Sequence, residues 1–249
     1  LVSLSLPLVS FPPLFFLLFP STQGVEALAA VLPACGALTE LWLIDNAIAD
    51  EGALALAAAL AGNPALAQLY LCNNGIGPAG ARAIGDALRA NTRLKSLYLQ
   101  SNPLGAEGAQ GLAPGLAANT SVVDLVLHGT KLGNGGARAI AGVLQTNTTI
   151  TELGLVGNQI SDTGLQALLR ALDANITVTH LDVSRNNSCG RMVSYLIRRR
   201  ANANEVLEEG EEGKEEERKK KGKKGKKGKR KRSKNVFKPK TNRERERER

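Results

Sequence analysis

The sequence has few of the residues that build metal sites, His-based catalytic sites and disulfide-stapled domains. Aromatic residues make up 4% of the 249 positions, and there are two histidines, His128 and His180. Three cysteines, Cys35, Cys72 and Cys189, lie far apart and form no C-x-x-C pair. This spacing excludes a disulfide-stapled miniprotein and argues against a zinc site. A hydrophobic core must therefore be built from Leu, Ile, Val and Ala.

Motifs that bind nucleotides or catalyse hydrolysis are also lacking. The sequence contains no phosphate-binding loop, no dinucleotide-binding glycine motif and no metalloprotease helix. The two histidines fall at different positions of the repeat described below, and no Ser or Cys pairs with either of them. We therefore expect no enzymatic activity, no catalytic residues, no cofactor and no bound metal.

Positive charge is concentrated at one end of the chain, although the formal net charge of the whole is +9. Residues 214–249 contain 20 of the 32 Lys and Arg and 6 of the 23 acidic residues, which gives a local charge of +14. Residues 24–200 contain 12 basic and 12 acidic residues. A neutral middle argues against a basic domain surface that recognises nucleic acid.

Residues 205–249 are predicted to be a disordered, charged and mostly basic tail, because they contain too little apolar surface to form a core. The basic patch of this tail comprises Lys219, Lys220, Lys221, Lys229, Arg230, Lys231 and Arg232. Such a patch is typical of nuclear-localisation sequences and of weak polyanion binding, and a solvated or spurious extension is the alternative. We predict a cytoplasmic protein, with nuclear import through an import receptor as one alternative and secretion as another.

Residues 1–23 form an apolar, Pro-rich segment that is predicted to lie outside the fold. Residues 1–20 carry no charge, and the prolines at positions 7, 12, 13 and 20 interrupt any membrane-spanning helix. The alternatives are a truncated or mis-joined terminus, a damaged signal peptide and a membrane anchor. Part of this segment could also supply a strand that the first half-repeat lacks.

The middle of the chain is an internal repeat of 28 residues. Each unit reads L-x-x-L-x-L-x-x-N-x-L and then continues with a helical half. Five complete units align without a gap, at residues 38–65, 66–93, 94–121, 122–149 and 150–177. A sixth unit begins at residue 178 and degenerates, and residues 24–37 match only the second half of a unit. One unit cannot bury its own apolar face, so neighbouring units must stack.

Several repeat positions predict local structure. Apolar residues alternate in the first half of each unit, as in a half-buried strand, and recur at helical spacing in the second half. An Asn column ends the strands and is predicted to hydrogen-bond backbone groups of adjacent units, with Thr130 as the substitute; its members are Asn46, Asn74, Asn102 and Asn158. A Gly column lets each helix begin close to the strands. Pro114 is expected to shorten or kink the helix of the third unit. The glycosylation sequons at Asn119, Asn147 and Asn175 fall in a second Asn column, where we expect left-handed helix caps in place of glycans.

These units resemble the ribonuclease-inhibitor type of leucine-rich repeat, the class that is also found in NOD-like receptors and in Ran GTPase-activating protein. The resemblance covers residues 24–200. It implies an α/β fold, a right-handed leucine-rich-repeat solenoid or horseshoe, with parallel strands on the concave face and helices on the convex face. The predicted domain spans residues 24–204 and contains about six repeats.

Side chains that face out of the predicted concave sheet form columns, with one residue per strand. The central column carries Trp42, Tyr70 and Tyr98 on successive strands. Strands ~4.8 Å apart would stack these rings, and Trp and Tyr are typical anchors of interfaces. A ring stack that merely covers the sheet is the alternative. The predicted partner-binding residues of this face are Trp42, Tyr70, Tyr98, Glu40, Gln68, Asp45, Gln100 and His128.

We predict a monomeric, non-enzymatic protein–protein interaction module that binds a protein such as a signalling protein through its concave face. A Ran-type GTPase-activating protein that binds a small GTPase is the first alternative, although the tail here is basic where that family usually has an acidic one. A tropomodulin-like actin-end binder is the second alternative, suggested by the short repeat block and the sequence LIRRRANANE at 196–205. We expect neither specific nucleic-acid binding nor membrane binding.

Overall fold

A computed structural model describes residues 14–16 and 22–187 of the chain. Seven short strands in these residues form one parallel sheet, in which each strand lies beside its neighbours in chain order. Leu41 pairs with Leu69 and Leu69 pairs with Leu97, so equivalent repeat positions are in register. The strands are β1 (Leu14–Phe16), β2 (Glu40–Trp42), β3 (Gln68–Tyr70), β4 (Ser96–Tyr98), β5 (Asp124–Val126), β6 (Glu152–Gly154) and β7 (His180–Asp182).

A helix connects each strand to the next, and one 3-10 turn, Leu32–Ala34, follows the first helix. The helices are α1 (Thr22–Val31), α2 (Ala49–Gly62), α3 (Pro78–Ala90), α4 (Gly105–Ala118), α5 (Gly133–Leu144) and α6 (Asp162–Ala174). The predicted α/β solenoid is confirmed: the parallel strands form the concave face and the helices form the convex face.

The leucine columns form a continuous core between the sheet and the helices. On the strand side, Leu69, Leu71 and Leu97 are at most 2% exposed. On the helix side, Ile84 and Leu88 of α3 are 1% and 0% exposed. Burying one such side chain contributes about 1.5–3 kcal/mol. Because every unit buries its leucines against the next, the stability of each unit depends on its neighbours.

Buried asparagines at the ends of the strands tie each unit to the one before it. The side-chain NH₂ of Asn74 donates to the Leu43 carbonyl at 2.6 Å, and its Oδ1 accepts the Asn46 backbone N–H at 2.8 Å. Asn102 makes the same two bonds one unit later. The hydroxyl of Thr130 donates instead to a carbonyl of its own unit. The predicted role of this Asn column is confirmed.

The second Asn column closes the helices, but the expected left-handed caps are wrong. Asn119 has φ −77° and ψ 136°, which is an extended backbone. Its NH₂ donates to the Leu88 carbonyl, and its Oδ1 accepts the backbone N–H groups two and three residues later. Asn147 and Asn175 make the same bonds. The side chain thus makes the turn's hydrogen bonds without a left-handed residue, and the sequon amides are buried in the fold.

Two helices receive their N-terminal cap from the preceding unit. Asp50 Oδ1 accepts the backbone N–H groups of Gly77 and Gly80, both at 2.7 Å, where α3 begins. Asn134, at the same repeat position three units later, bonds the first turn of α6 in the same way. The first N–H groups of a helix have no partner within the helix, so these side chains stabilise helix starts and link adjacent units.

Helices α3 and α4 approach each other at glycines. A Cβ on Gly115 would lie 2.7 Å from the Cα of Gly85, and a Cβ on Gly85 would lie 2.8 Å from the Gly111 carbonyl oxygen. Of the two expected effects of Pro114, shortening of its helix is wrong, because α4 continues past it, and a kink stays a prediction. Pro114 is exposed, so its ring points away from the packed side. Packing of α4 against its neighbours outweighs the local preference of proline.

The structure differs from the expected boundary at residue 23. Leu14–Phe16 forms β1 and pairs in parallel with β2, which supplies the strand that the first half-unit lacks. Without this pairing, the backbone N–H and C=O groups on one edge of β2 would have no partner in the sheet. The rest of residues 1–21 and all residues beyond 187 lie outside the described part of the chain, so the domain limits at 204 and 205 stay predictions.

Candidate functional site

Trp42, Tyr70 and Tyr98 form a continuous stack of rings, here called the ring stack, on the open face of the sheet. They end β2, β3 and β4 and pair in register. The ring centroids are 4.3 Å apart in the Trp42–Tyr70 pair and also in the Tyr70–Tyr98 pair, and the interplanar angles are 31° and 7°. This separation is smaller than the ~4.8 Å between strands, as expected on the inner side of a curved sheet. All three side chains are half-buried, so part of each remains accessible.

Polar side chains on β2 and β3 orient two of the rings. The Tyr70 hydroxyl donates to Gln68 Oε1 at 2.7 Å, and the Trp42 indole N–H donates to Glu40 Oε2 at 3.4 Å. Gln68 Nε2 in turn donates to Glu40 Oε1 at 3.3 Å. Burial raises the pKa of Tyr70, so its hydroxyl remains a proton donor at neutral pH. The structure thus joins these four predicted site residues in one hydrogen-bonded network.

Asp124 also belongs to this site, although sequence reasoning did not select it. The Tyr98 hydroxyl donates to Asp124 Oδ2 at 2.5 Å, across to the next strand. Burial, together with this hydrogen bond, raises the pKa of Tyr98 well above its usual range. The signal in the sequence was that Asp124 occupies the same repeat column as Glu40 and Gln68. This bond fixes the ring of Tyr98 at the end of the ring stack.

Asp45 and Gln100 contribute differently from the expectation. Asp45 lies exposed in the loop after β2, with φ 61°, and its Oδ1 accepts a hydrogen bond from Asn73 Nδ2 at 2.6 Å. Gln100 is half-buried, and its side-chain oxygen is buried without a hydrogen-bond partner among the described residues. That oxygen cannot meet a donor from a partner unless the side chain moves. In the described part of the chain, neither side chain hydrogen-bonds to the ring stack.

His128 packs over a glycine on the next strand. A Cβ on Gly154 would lie 2.9 Å from Nε2 and 3.0 Å from Nδ1 of His128, so the imidazole rests on the Gly154 backbone. Nδ1 accepts the Val156 backbone N–H at 3.0 Å, which favours the neutral ring with its proton on Nε2. Burial lowers the pKa of His128, although the carboxylates of Asp124 and Asp182 oppose this shift. The imidazole of His128 therefore covers the backbone of Gly154 on the concave face.

Two kinds of position face outward from the sheet: the first and last residues of strands β2 to β7, and the second residue after each strand. These positions carry carboxylates but no Lys or Arg. The exposed arginines Arg82 and Arg138 lie on helices, and the exposed arginines Arg93 and Arg185 lie in loops. The concave face therefore carries charge of one sign, whereas the helices carry both acidic and basic residues. The carboxylates on the concave face are Glu40, Asp124, Glu152 and Asp182.

Other kinds of site receive no support from the described residues. Within 14–16 and 22–187, no group of His, Cys, Asp and Glu is arranged to hold a metal ion. In the same part of the chain, no helix has both the length and the apolar character needed to cross a bilayer. Cys35 and Cys72 are free thiols, and burial raises the pKa of Cys72 to about 11. The predicted basic patch at 219–232 lies outside the described residues.

Comparison with known families gives matches at three places in the chain. A family model described as "Leucine Rich repeat" matches residues 38–57, 90–113 and 146–169. The chain carries a leucine-rich repeat domain. All three matches lie within the repeat block, and the structure stacks these units in the predicted register. The predicted similarity to leucine-rich repeats of the ribonuclease-inhibitor type is confirmed.

Two solved structures are similar to this chain. The tropomodulin C-terminal domain of Caenorhabditis elegans matches with a TM-score of 0.51 and 20% identity, covering 61% of this chain and 92% of that one. A structure of leiomodin-1 actin-binding site 2 matches with a TM-score of 0.49 and 25% identity, covering 58% of this chain and 87% of that one. No curated protein sequence matches the chain. Nothing in these comparisons supports a GTPase-activating role.

Proposed function

We propose that the leucine-rich repeat domain is a non-enzymatic protein-interaction module whose concave face binds a protein partner. The observation that carries this proposal is the ring stack, half-buried on the open side of the sheet with centroids 4.3 Å apart. Trp and Tyr bury large areas with few rotatable bonds, and they are enriched among residues that dominate binding energy. The helices lie on the opposite face of the solenoid and leave this surface open.

The binding footprint is centred on the N-terminal half of the concave face. The column that holds the three rings continues as Val126, Gly154 and Asp182, so the aromatic anchors are confined to β2, β3 and β4. Glu40 and Gln68 place acceptor oxygens beside the rings. An aromatic centre with a polar edge is the usual composition of a protein interface.

The test compares ring variants with helix-side variants. The full-length chain is immobilised, a retained protein is identified and purified, and its affinity is measured by calorimetry. Trp42→Ala and Tyr98→Ala should each weaken binding by about 2 kcal/mol or more. Arg82→Ala and Arg138→Ala, at exposed helix positions, should change the binding free energy by no more than about 0.5 kcal/mol. Larger losses for the arginine variants, with all four variants folded, would contradict a concave binding site.

Actin is one named partner that can be tested directly. The similarity to tropomodulin concerns the fold alone, and the actin-binding site named above is that of leiomodin-1. An actin-end elongation assay with the full-length chain tests whether actin is the partner. Slower elongation that Trp42→Ala abolishes would support actin as the partner. Unchanged elongation would exclude the tropomodulin-like activity and leave the interaction module in place.

Nuclear import through the basic patch at 219–232 is a separate proposal for localisation. It is supported by the local charge of +14 over residues 214–249. Deletion of residues 214–249 should abolish nuclear accumulation of the expressed chain and leave the thermal unfolding of the repeat domain unchanged. Retained nuclear accumulation would assign the targeting information to another part of the chain.

A further inference from the structure

The ring stack has an end at β5 where one ring face is not covered by another ring. Tyr70 has a ring on each side, whereas Tyr98 has Tyr70 on one side and Val126 in register on the other. Gly154 follows Val126 in the same column, and the His128 ring rests on it. The surface therefore drops from the ring of Tyr98 to the smaller side chain of Val126. We call this place the step.

Carboxylates border the step. Asp124 pairs in register with Glu152 on β6, and Glu152 is exposed. Asp124 holds the Tyr98 hydroxyl through Oδ2, so its carboxylate lies at the edge of the ring. The ion pair found within residues 22–187 joins Arg89 and Asp86 on α3, and neither Asp124 nor Glu152 is paired with a cation there. Within the described residues, neither of these two carboxylates is neutralised by an ion pair.

We propose that the step binds an arginine side chain of the protein partner. This inference rests on the proposed function, because it gives the chemistry by which the same face recognises its partner. A guanidinium stacked on the outer face of Tyr98 gains cation–π attraction. Its planar set of N–H donors matches the carboxylates of Asp124 and Glu152, and charge-assisted bonds of this kind are the strong ones. A lysine ammonium has no planar fork to stack and bond in this way.

The geometry of Tyr98 is set before a partner arrives. Its hydroxyl donates a hydrogen bond to Asp124 on β5. Its inner ring face stacks on Tyr70 of β3, with an interplanar angle of 7°. A ring that is already oriented loses little further freedom on binding. An acidic partner segment would meet repulsion from four carboxylates of the concave face, so the sign of the charge selects against it.

Selection of short random peptides displayed on phage tests this proposal with the full-length chain. The charge variant combines Asp124→Asn and Glu152→Gln, which keep hydrogen-bond acceptors and remove two charges. The matched control combines Glu26→Gln and Glu107→Gln at exposed positions of α1 and α4. Every variant retains the basic tail, so peptides that bind the tail are enriched equally and cancel in the comparison. Thermal unfolding and Trp42 fluorescence check that each variant keeps its fold.

A second variant blocks the step without changing its charge. Val126→Tyr places a ring beside the outer face of Tyr98 and extends the ring stack by one member. The expected result is enrichment of Arg-containing peptides on the wild-type chain and on the control. Their affinity, measured by fluorescence anisotropy, should fall on the order of tenfold in the charge variant and in Val126→Tyr. Replacing the peptide arginine by neutral citrulline should cause a loss of the same size.

The outcomes distinguish this proposal from the proposed function. Peptides that lose binding with Trp42→Ala but bind the charge variant and Val126→Tyr unchanged would overturn the arginine site and leave the concave interface standing. Equal enrichment of lysine and arginine peptides, or tight binding of the citrulline peptide, would also overturn the arginine site. Binding that survives every ring variant would overturn both proposals.

Discussion

Replacing Gly115 by alanine adds one methyl group at the contact between α3 and α4. The new Cβ would lie 2.7 Å from the Cα of Gly85 and closer still to the carbonyl group of Gly85. These are backbone atoms, so no side-chain rotation can relieve the overlap, and the two helices must move apart. Extra atoms in a well-packed contact cost about 1–3 kcal/mol. We expect the upper end of this range because both sides of the contact are backbone.

Gly142→Ala is the matched control, since Gly142 lies exposed in α5 and a Cβ there would meet nothing within 4 Å. Alanine is favoured over glycine in a helix interior by about 1 kcal/mol, so this variant should be more stable than the wild type. Gly115→Ala gains the same amount and loses about 3 kcal/mol to the overlap, a net loss of about 2 kcal/mol. The two variants should therefore differ by about 3 kcal/mol in the free energy of unfolding.

Urea titration of the full-length variants, followed by circular dichroism of the helices, measures this difference. Fluorescence of Trp42, the only tryptophan of the chain, gives a second probe from the concave side. Unfolding of Gly115→Ala at the same or a higher urea concentration than the wild type would show that α3 and α4 do not touch at these glycines. If Gly142→Ala is less stable than the wild type, then replacing glycine by alanine does not give the same gain in helix propensity at positions 115 and 142.

Three further predictions concern other parts of the fold. Leu97→Ala empties a fully buried strand position and should cost about 2–5 kcal/mol in urea titration, whereas exposed Lys95→Ala should cost no more than about 0.5 kcal/mol. Asp50→Ala removes the cap of α3 and should lower stability by about 1 kcal/mol, with exposed Glu51→Ala as a near-neutral control in thermal unfolding. Because the pKa of His128 is lowered in the folded chain, the unfolded chain binds a proton at His128 more readily. The contribution of neutral His128 to stability is therefore present above the unfolded pKa of about 6.5 and is lost as the pH falls below that value. Urea midpoints on both sides of that pH should show this loss in the wild type and a smaller one in His128→Gln.

The repeat period predicted the fold because a constant unit length fixes the register of every strand at once. Leu41, Leu69 and Leu97 pair directly, since each follows the last by one unit. The leucine columns can be buried only if units stack, and the ring stack follows from the same rule at the neighbouring column. The position of a residue within the unit is enough to place it in the core or on the open face, whatever its side chain contacts.

The polar part of the site could not be predicted in this way, because its contacts join positions that are not equivalent. Tyr70 and Tyr98 occupy the same repeat position, yet one donates to Gln68 on its own strand and the other to Asp124 on the next. The packing of His128 over Gly154 likewise joins two different columns. A glycine in a strand signals space for another group but does not say which one fills it.

A regular solenoid presents the same surface at every unit, so recognition depends on where the outward columns change. In the fourth unit, Leu125 and Leu127 remain fully buried, while Val126 between them faces outward where earlier units have rings. Strand alternation places adjacent residues on opposite faces, so the outward column can change from aromatic to small without disturbing the core. The same unit supplies Asp124, which holds the last ring. The unit at which the aromatic column stops is therefore also the unit that orients its exposed end.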